Sequence, residues 1–135
     1  MSDVWVAGLD DVEEGLLIAA SRYPNMDVES SRSWAIHYME NHQVSIMRTK
    51  NVVSMVAYST VFWRPRELVA NVVFFAGRVG TPAWEAVKLL QAQVRRSKER
   101  GCVEFLLGSV TGLDLGPFAR RLGFEVSGPN YRRSL

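Results

Sequence analysis

The sequence predicts a mixed α/β fold, and three features predict it. Helical periodicity is confined to residues 10–41 and 81–100. β-branched and aromatic residues crowd residues 44–75. From residue 68 onward a strand, a glycine-bearing turn, a long helix and a second strand follow one another, which is a βαβ unit whose two strands run parallel. The expected architecture is therefore an N-terminal helical pair, an antiparallel hairpin and a βαβ unit sharing one mixed α+β sheet.

Each element has a local cause. Asp10 and Asp11 precede Val12, Leu16, Ala19, Ala20 and Tyr23, which share one helical face. Acids suit the positive end of a helix dipole and can cap it. Pro24-Asn25 stops this helix. Ser30 or Ser31 is a candidate cap for a second one, which holds Trp34, Ile36, His37, Tyr38 and Met39 and ends near Asn41. Residues 44–49 read as a strand, Lys50-Asn51 as a turn and residues 52–63 as the returning strand. Arg64-Pro65-Arg66 is expected to break the chain. Residues 68–75 are almost continuously apolar, as in a strand covered on both faces. Thr81 is the expected N-cap of the long helix, with Pro82 at its first position. Gly101 is its expected stop. Trp84, Val87, Leu90 and Val94 form the expected inward stripe. Residues 103–107 are a short buried strand. Residues 115–122 are a candidate short helix, and residues 123–126 are the expected start of a last strand.

Length and composition bound what such a chain can be. With 135 residues and a mass of 15.2 kDa it is one domain, residues 1–135, large enough to bury a core without disulfides. The mean hydropathy is −0.03, and no apolar run reaches the ~18 residues of a membrane span. The N-terminus shows no secretory pattern. The single cysteine, Cys102, excludes a disulfide framework and reads as a small core residue. With only His37 and His42 as histidines, no metal site is expected. The expectation from these features is a cytoplasmic protein without a membrane partner.

Charge is uneven. Residues 1–63 hold eight acidic and four basic side chains, whereas residues 64–135 hold six acidic and twelve basic. A cationic C-terminal half suits a polyanion or a phosphate-bearing ligand, and equally a solvated helix face. No nucleic-acid motif accompanies the charge, so nucleic acid is not the expected partner.

The informative segment is 68–101. A helix N-terminus presents unpaired N–H groups and partial positive charge, and can hold a phosphate. Gly77 and Gly80 allow close backbone approach. Pro82 lacks an N–H, so the donors are those of Val79, Gly80, Thr81, Ala83 and Trp84. The turn matches neither a P-loop nor a dinucleotide fingerprint.

This order of elements resembles the GNAT superfamily of acyl-CoA-dependent N-acyltransferases, best between about Val52 and Arg133. Arg78-Val79-Gly80-Thr81-Pro82-Ala83 is similar to that family's pyrophosphate loop, Gln/Arg-x-x-Gly-x-Gly/Ala. Arg78 and Ala83 match, Thr81 stands where the middle glycine is expected, and Gly80 comes one place early. Arg120-Arg121-Leu122-Gly123-Phe124-Glu125 resembles the family's C-terminal Leu-Gly-Phe element.

The resemblance implies a βαβ unit that binds acetyl-CoA. The pyrophosphate would lie on backbone amides of the loop, beside Arg78. The pantetheine arm would lie along Val73, Phe74 and Phe75. An amine acceptor, small molecule or protein, would enter over the hairpin and the N-terminal helices. His37 and His42, either side of the second helix end, could face it, though such residues serve equally in packing. Two polar positions depart from the family pattern: Ala119 stands at its usual Tyr and Gly112 at its usual Asn. Tyr131 is the candidate phenol in their place and Glu67 the candidate base acting through water. Ser109 and Thr111 are candidates to restore hydrogen bonds to the cofactor. Arg120-Arg121 and Arg132-Arg133 could meet the CoA 3′-phosphate, and Trp63 beside Arg64-Pro65-Arg66 could contact a partner.

The implied activity is an acetyl-CoA-dependent N-acyltransferase. The departures equally admit a non-catalytic GNAT-fold subunit of a larger assembly, bacterial or phage, as a homodimer or in a virion.

Overall fold

The computed structural model describes residues 3–107, 120–125, 133 and 134. Its elements are β1 (Trp5–Val6), α1 (Val12–Ala20), α2 (Val28–Glu40), β2 (Val44–Arg48), β3 (Val52–Val61), β4 (Arg64–Gly77), α3 (Ala83–Glu99) and β5 (Cys102–Leu106), with a 3-10 turn at Arg120–Leu122. The five strands form one sheet in the order β1-β2-β3-β4-β5. The first three pairings are antiparallel and β4–β5 is parallel. The hairpin, the βαβ unit and the mixed sheet are as the sequence predicts. No helix among the described residues is long and apolar enough to cross a membrane.

Alternation along the strands builds two layers of core. Val52, Val56 and Tyr58 of β3 join Val72 and Phe75 of β4 against Leu89 and Leu90 of α3. Val53 and Met55 of β3 join Ala76 of β4, Ile46 of β2, Ile18 of α1 and Ala35 of α2 on the opposite face. The period of two turns neighbouring residues to opposite layers. A Cβ at Gly15 would meet Val53 Cγ2 at 3.2 Å, so glycine lets α1 lie close on β3.

Several boundaries differ from expectation. Helix α2 starts at Val28, capped by Asp27, whose carboxylate accepts the Ser30 N–H at 3.0 Å and the Ser30 hydroxyl at 2.8 Å. An ionised carboxylate satisfies more donors there than a serine hydroxyl. Helix α1 ends at Ala20, so Tyr23 lies beyond it. Helix α3 begins at Ala83, with Pro82 at the cap position. Its ψ of 139° is extended, and the Thr81 hydroxyl donates instead to the Arg78 carbonyl at 2.6 Å. Strand β4 starts at Arg64 rather than after Arg66. Val61 pairs with Arg64 and Thr60 with Leu68, so Pro65, Arg66 and Glu67 fall in an irregularity of the ladder, where the missing proline N–H breaks no bond. The two-residue strand β1 has no counterpart among the elements expected from the sequence. Gly123–Glu125 is not strand, and the rest of the expected terminal helix and strand lies outside the described residues.

The inward stripe of α3 is rotated from the expected one. Ala86, Leu89, Leu90, Gln93 and Ser97 are buried, while Trp84 is half exposed. The rotation takes three polar residues inside, because partners wait for them. Glu85 is 2% exposed and accepts from the Thr49 hydroxyl at 2.6 Å. It also accepts from Asn51 N–H at 3.2 Å and Asn51 Nδ2 at 3.3 Å. Gln93 Nε2 donates to Ser54 Oγ at 2.8 Å. The Ser97 hydroxyl donates to the Gln93 carbonyl at 2.8 Å.

Candidate active site

The site grows from an irregularity in β4. Met55 of β3 pairs with Phe74 and Val56 pairs with Val72, so Val73 is an extra residue, a β-bulge. The β4–β5 ladder reaches only as far as Asn71 and Leu106. Beyond Asn71, β4 has no strand partner on that side among the described residues. The two parallel strands are paired at one end and β4 continues alone.

Alternation fixes what this open edge offers. The Arg78 N–H donates inward to the Asn51 carbonyl at 2.9 Å. In an antiparallel ladder every second residue points its N–H and C=O at the partner. Ala76 and Phe74 therefore share the inward phase, and Gly77 and Phe75 turn their peptide groups outward. Arg22 corroborates this phase: its Nε donates to the Gly77 carbonyl at 2.7 Å. Tyr23 takes a backbone hydrogen bond from Phe75, and burial pushes its phenol above the ordinary value against that smaller opposing pull. Such an edge can accept an extended chain bearing amides in register, as in strand addition.

The edge leads directly into the expected phosphate turn. The Thr81 N–H returns to the Arg78 carbonyl at 3.2 Å, closing a turn over residues 78–81. Gly80 sits at φ +84°, and a Cβ added there would meet nothing within 4 Å, so its need for glycine is conformational rather than spatial. Ala83 and Trp84 supply the first N–H groups of α3, which have no intrahelical acceptor. The Thr81 N–H, an expected phosphate donor, is spent on the turn. The Arg78 guanidinium reaches back to Glu14 Oε1 at 2.8 Å, and Arg48 approaches the same oxygen at 3.6 Å. Val79 is 86% exposed at the tip.

On the α1/α2 side of Val73 and Phe74 a cavity of about 710 Å³ opens. Its wall comes from the end of α1, the α1–α2 connection, the first half of α2 and Met55 of β3. That is the side from which an acceptor is expected to enter.

The structure brings together Val73, Phe74, Phe75, Arg78, Val79, Gly80, Thr81, Ala83 and Trp84, along one edge and the turn that ends it. It does not bring Glu67 there. Glu67 lies six positions before Val73, about 20 Å along an extended strand, and its Oε2 is 3.2 Å from Arg64 Nη1. Tyr131 and Ser109 lie outside the described residues, as do Thr111, Gly112 and Ala119. His37 is on the exposed side of α2, edge-on to Tyr38, and His42 is exposed with φ 57°. Cys102 begins β5, where burial raises its thiol pKa and the Arg100 charge opposes it. Sequence reasoning missed Arg22, Tyr23, Met26 and Trp34. The one signal for the first two was Arg-Tyr directly before Pro24, at a forced helix stop.

No model of a protein family matches the chain, and no curated protein matches it. Solved structures do. A Trypanosoma brucei acetyltransferase superposes with a TM-score of 0.79 at 15% identity, covering 100% of both chains. A predicted acetyltransferase of Clostridium acetobutylicum, solved with acetyl-CoA, gives 0.80 at 14% identity over 99% of this chain and 96% of that one. An aminoglycoside N-acetyltransferase in complex with CoA gives 0.79 at 12% identity over 100% and 96%. The fold of this chain is the GNAT acetyltransferase fold.

Proposed function

We propose that the protein is an acetyl-CoA-dependent N-acyltransferase acting on an amine. The observation that carries this reading is the edge of β4 beyond Asn71, without a strand partner among the described residues, whose outward Phe75 N–H and Gly77 carbonyl are held by the Tyr23 and Arg22 side chains, running straight into the Gly80 turn and the N-terminus of α3. These residues fit a pantetheine arm followed by a pyrophosphate: amide partners first, then a glycine-bearing turn and free helix N–H groups. Acetyl-CoA would supply the activated thioester.

The chemistry follows from placement. The nitrogen of a neutral amine attacks the thioester carbon, the C–N bond forms, the C–S bond breaks, and a proton passes from nitrogen to the leaving thiolate. The bulge at Val73 lies where the edge meets the acceptor cavity, so the chain holds both reactants at one point. Tyr23 stands on the wall of that cavity, and its phenol, whose pKa burial raises, is the donor this reading assigns to the leaving sulfur. Tyr131 is the alternative acid proposed on the sequence, and Glu67, six positions before the bulge and paired with Arg64, is not assigned as the base of this site.

Thermal unfolding with acetyl-CoA, CoA and ATP tests the reading. At about 100 times Kd, linkage stabilises the protein by about 2.7 kcal/mol, several degrees in Tm for a domain of this size. A shift with acetyl-CoA and CoA but not ATP is the expected result. Gly80→Glu, which sets a carboxylate at the turn, should abolish it. No shift at millimolar ligand refutes the reading.

One observation favours a second reading, a GNAT-fold interaction subunit. Phe62 and Trp63 are 95% and 74% exposed at the tip of the β3–β4 hairpin, beside Arg64 and Arg66. That reading predicts a stable complex whose affinity ignores CoA.

A further inference from the structure

The cavity beside Val73 and Phe74 speaks to the acceptor, an inference that rests on the acyltransferase reading. Its volume of about 710 Å³ is that of a site for one small molecule. Leu16, Met26, Trp34, Met55 and Phe74 give it apolar walls. Arg22 is the one charged side chain among the described residues that line it, and no carboxylate among them does.

Three nearby acids are engaged elsewhere. Glu13 holds Arg32 through two bonds of 2.7 Å. Glu14 holds Arg78 at 2.8 Å. Asp27 caps α2 through Ser30. A second ammonium group on the acceptor would therefore lose water against apolar carbon, find no counter-charge among the described residues that line the cavity and meet the Arg22 cation.

We propose that the acceptor is a primary amine with an apolar, aromatic-sized body and no second positive charge. The reacting nitrogen sits at Val73, and the body lies against Met26 and Trp34. Trp34 is tilted over Tyr38 with ring centroids 4.4 Å apart, which fixes its plane as part of the wall. Arg22 tolerates an acceptor carboxylate and repels a polyamine.

The test measures kcat/KM for CoA thiol release from acetyl-CoA with phenethylamine, phenylalanine, spermidine and kanamycin. The expected result is that phenethylamine or phenylalanine exceeds both polycations by at least about tenfold, the penalty of a partly desolvated charge set beside Arg22 without a partner. The ratio of phenethylamine to phenylalanine shows whether Arg22 selects a carboxylate. Met26→Glu should raise spermidine relative to phenethylamine by at least about tenfold by supplying the missing counter-charge.

A second readout needs no cofactor. Phenethylamine should change the tryptophan fluorescence of the chain alone, and Trp34→Phe should abolish that change. Equal or better use of spermidine or kanamycin overturns the proposal. So does a chain that acetyl-CoA stabilises but that turns over neither apolar amine. A chain that acetyl-CoA does not stabilise, yet whose Trp34 reports phenethylamine and not spermidine, refutes the acyltransferase reading while supporting this pocket's selectivity.

Discussion

Glu85 tests whether the phosphate turn is held from beneath. Its carboxylate is buried in the first turn of α3 and accepts from Thr49 and Asn51 of the β2–β3 turn. The Asn51 carbonyl in turn takes the Arg78 N–H, with which the phosphate turn begins. One carboxylate thus links the helix start to the residue that anchors the loop. Glu85→Ala removes three hydrogen bonds and leaves the Thr49 hydroxyl, which is fully buried, without its acceptor. A hydrogen bond contributes about 0.5–1.5 kcal/mol and a buried hydroxyl left unpaired costs about 1–3 kcal/mol, so the variant should lose about 3–4 kcal/mol. For a domain of this length that is a fall in Tm of about 10–15 °C. Glu85→Gln keeps one acceptor for Thr49 and turns an NH2 toward Asn51, and should lose only about 1–2 kcal/mol. Thermal unfolding by circular dichroism reads both, and an acetyl-CoA titration of the Gln variant reads the loop. An Ala variant within about 2 °C of the parent would show that the carboxylate bears no structural load and would refute the linkage.

Four further outcomes follow from the same geometry. Tyr23→Phe frees the outward Phe75 N–H of a competing phenol, so the Kd for acetyl-CoA should fall by roughly fivefold, one neutral hydrogen bond; an unchanged Kd by calorimetry argues that the phenol does not compete. Gly80→Ala meets no atom but places a side chain at φ +84°, costing about 1–2 kcal/mol, which thermal unfolding measures as a Tm lower by several degrees. Asp27 is held below its ordinary value of 3.8 by the Ser30 N–H and hydroxyl. Its contribution is therefore complete above that value and is lost as pH falls through the lowered folded one, and Asp27→Ala should flatten the acid limb of the Tm–pH curve. Cys102, with its thiol pKa raised by burial, should alkylate more slowly at pH 8 in the folded than in the unfolded protein, by mass spectrometry.

The fold was legible because its strands announce themselves locally. Residues 52–58 alternate between two apolar sets, and each set needs its own layer of helix. The helix that follows Pro82 is long and amphipathic, so a βαβ unit follows with little else to decide. What was not legible depends on partners distant in sequence. Two-residue β1 exists only because Trp5 and Val6 pair with Arg48 and Met47. The bulge at Val73 lies inside an unbroken apolar run, and nothing in the composition of Val72-Val73-Phe74-Phe75 marks which residue is extra. Arg22 and Tyr23 read as the end of a helix face. Their reach to the open edge of β4 emerges only once the ladder phase at Arg78 is known.

The displaced stripe of α3 shows what its buried polar residues achieve. From the sequence, Trp84, Val87, Leu90 and Val94 form the inward stripe. The helix instead turns so that Glu85 meets Thr49, Gln93 meets Ser54, and Arg96 meets Ser45 at 2.8 Å. A purely apolar face of Leu and Val could slide along the sheet by a fraction of a turn at small cost, because dispersion contacts are non-directional. Hydrogen bonds at three successive heights of the helix allow one rotation and one height. That choice fixes the N-terminus of α3 against β2 and β3. Through Asn51 it also fixes where the Gly80 turn stands relative to the open edge of β4. A site that works by positioning gains more from this constraint than from the additional apolar burial it gives up.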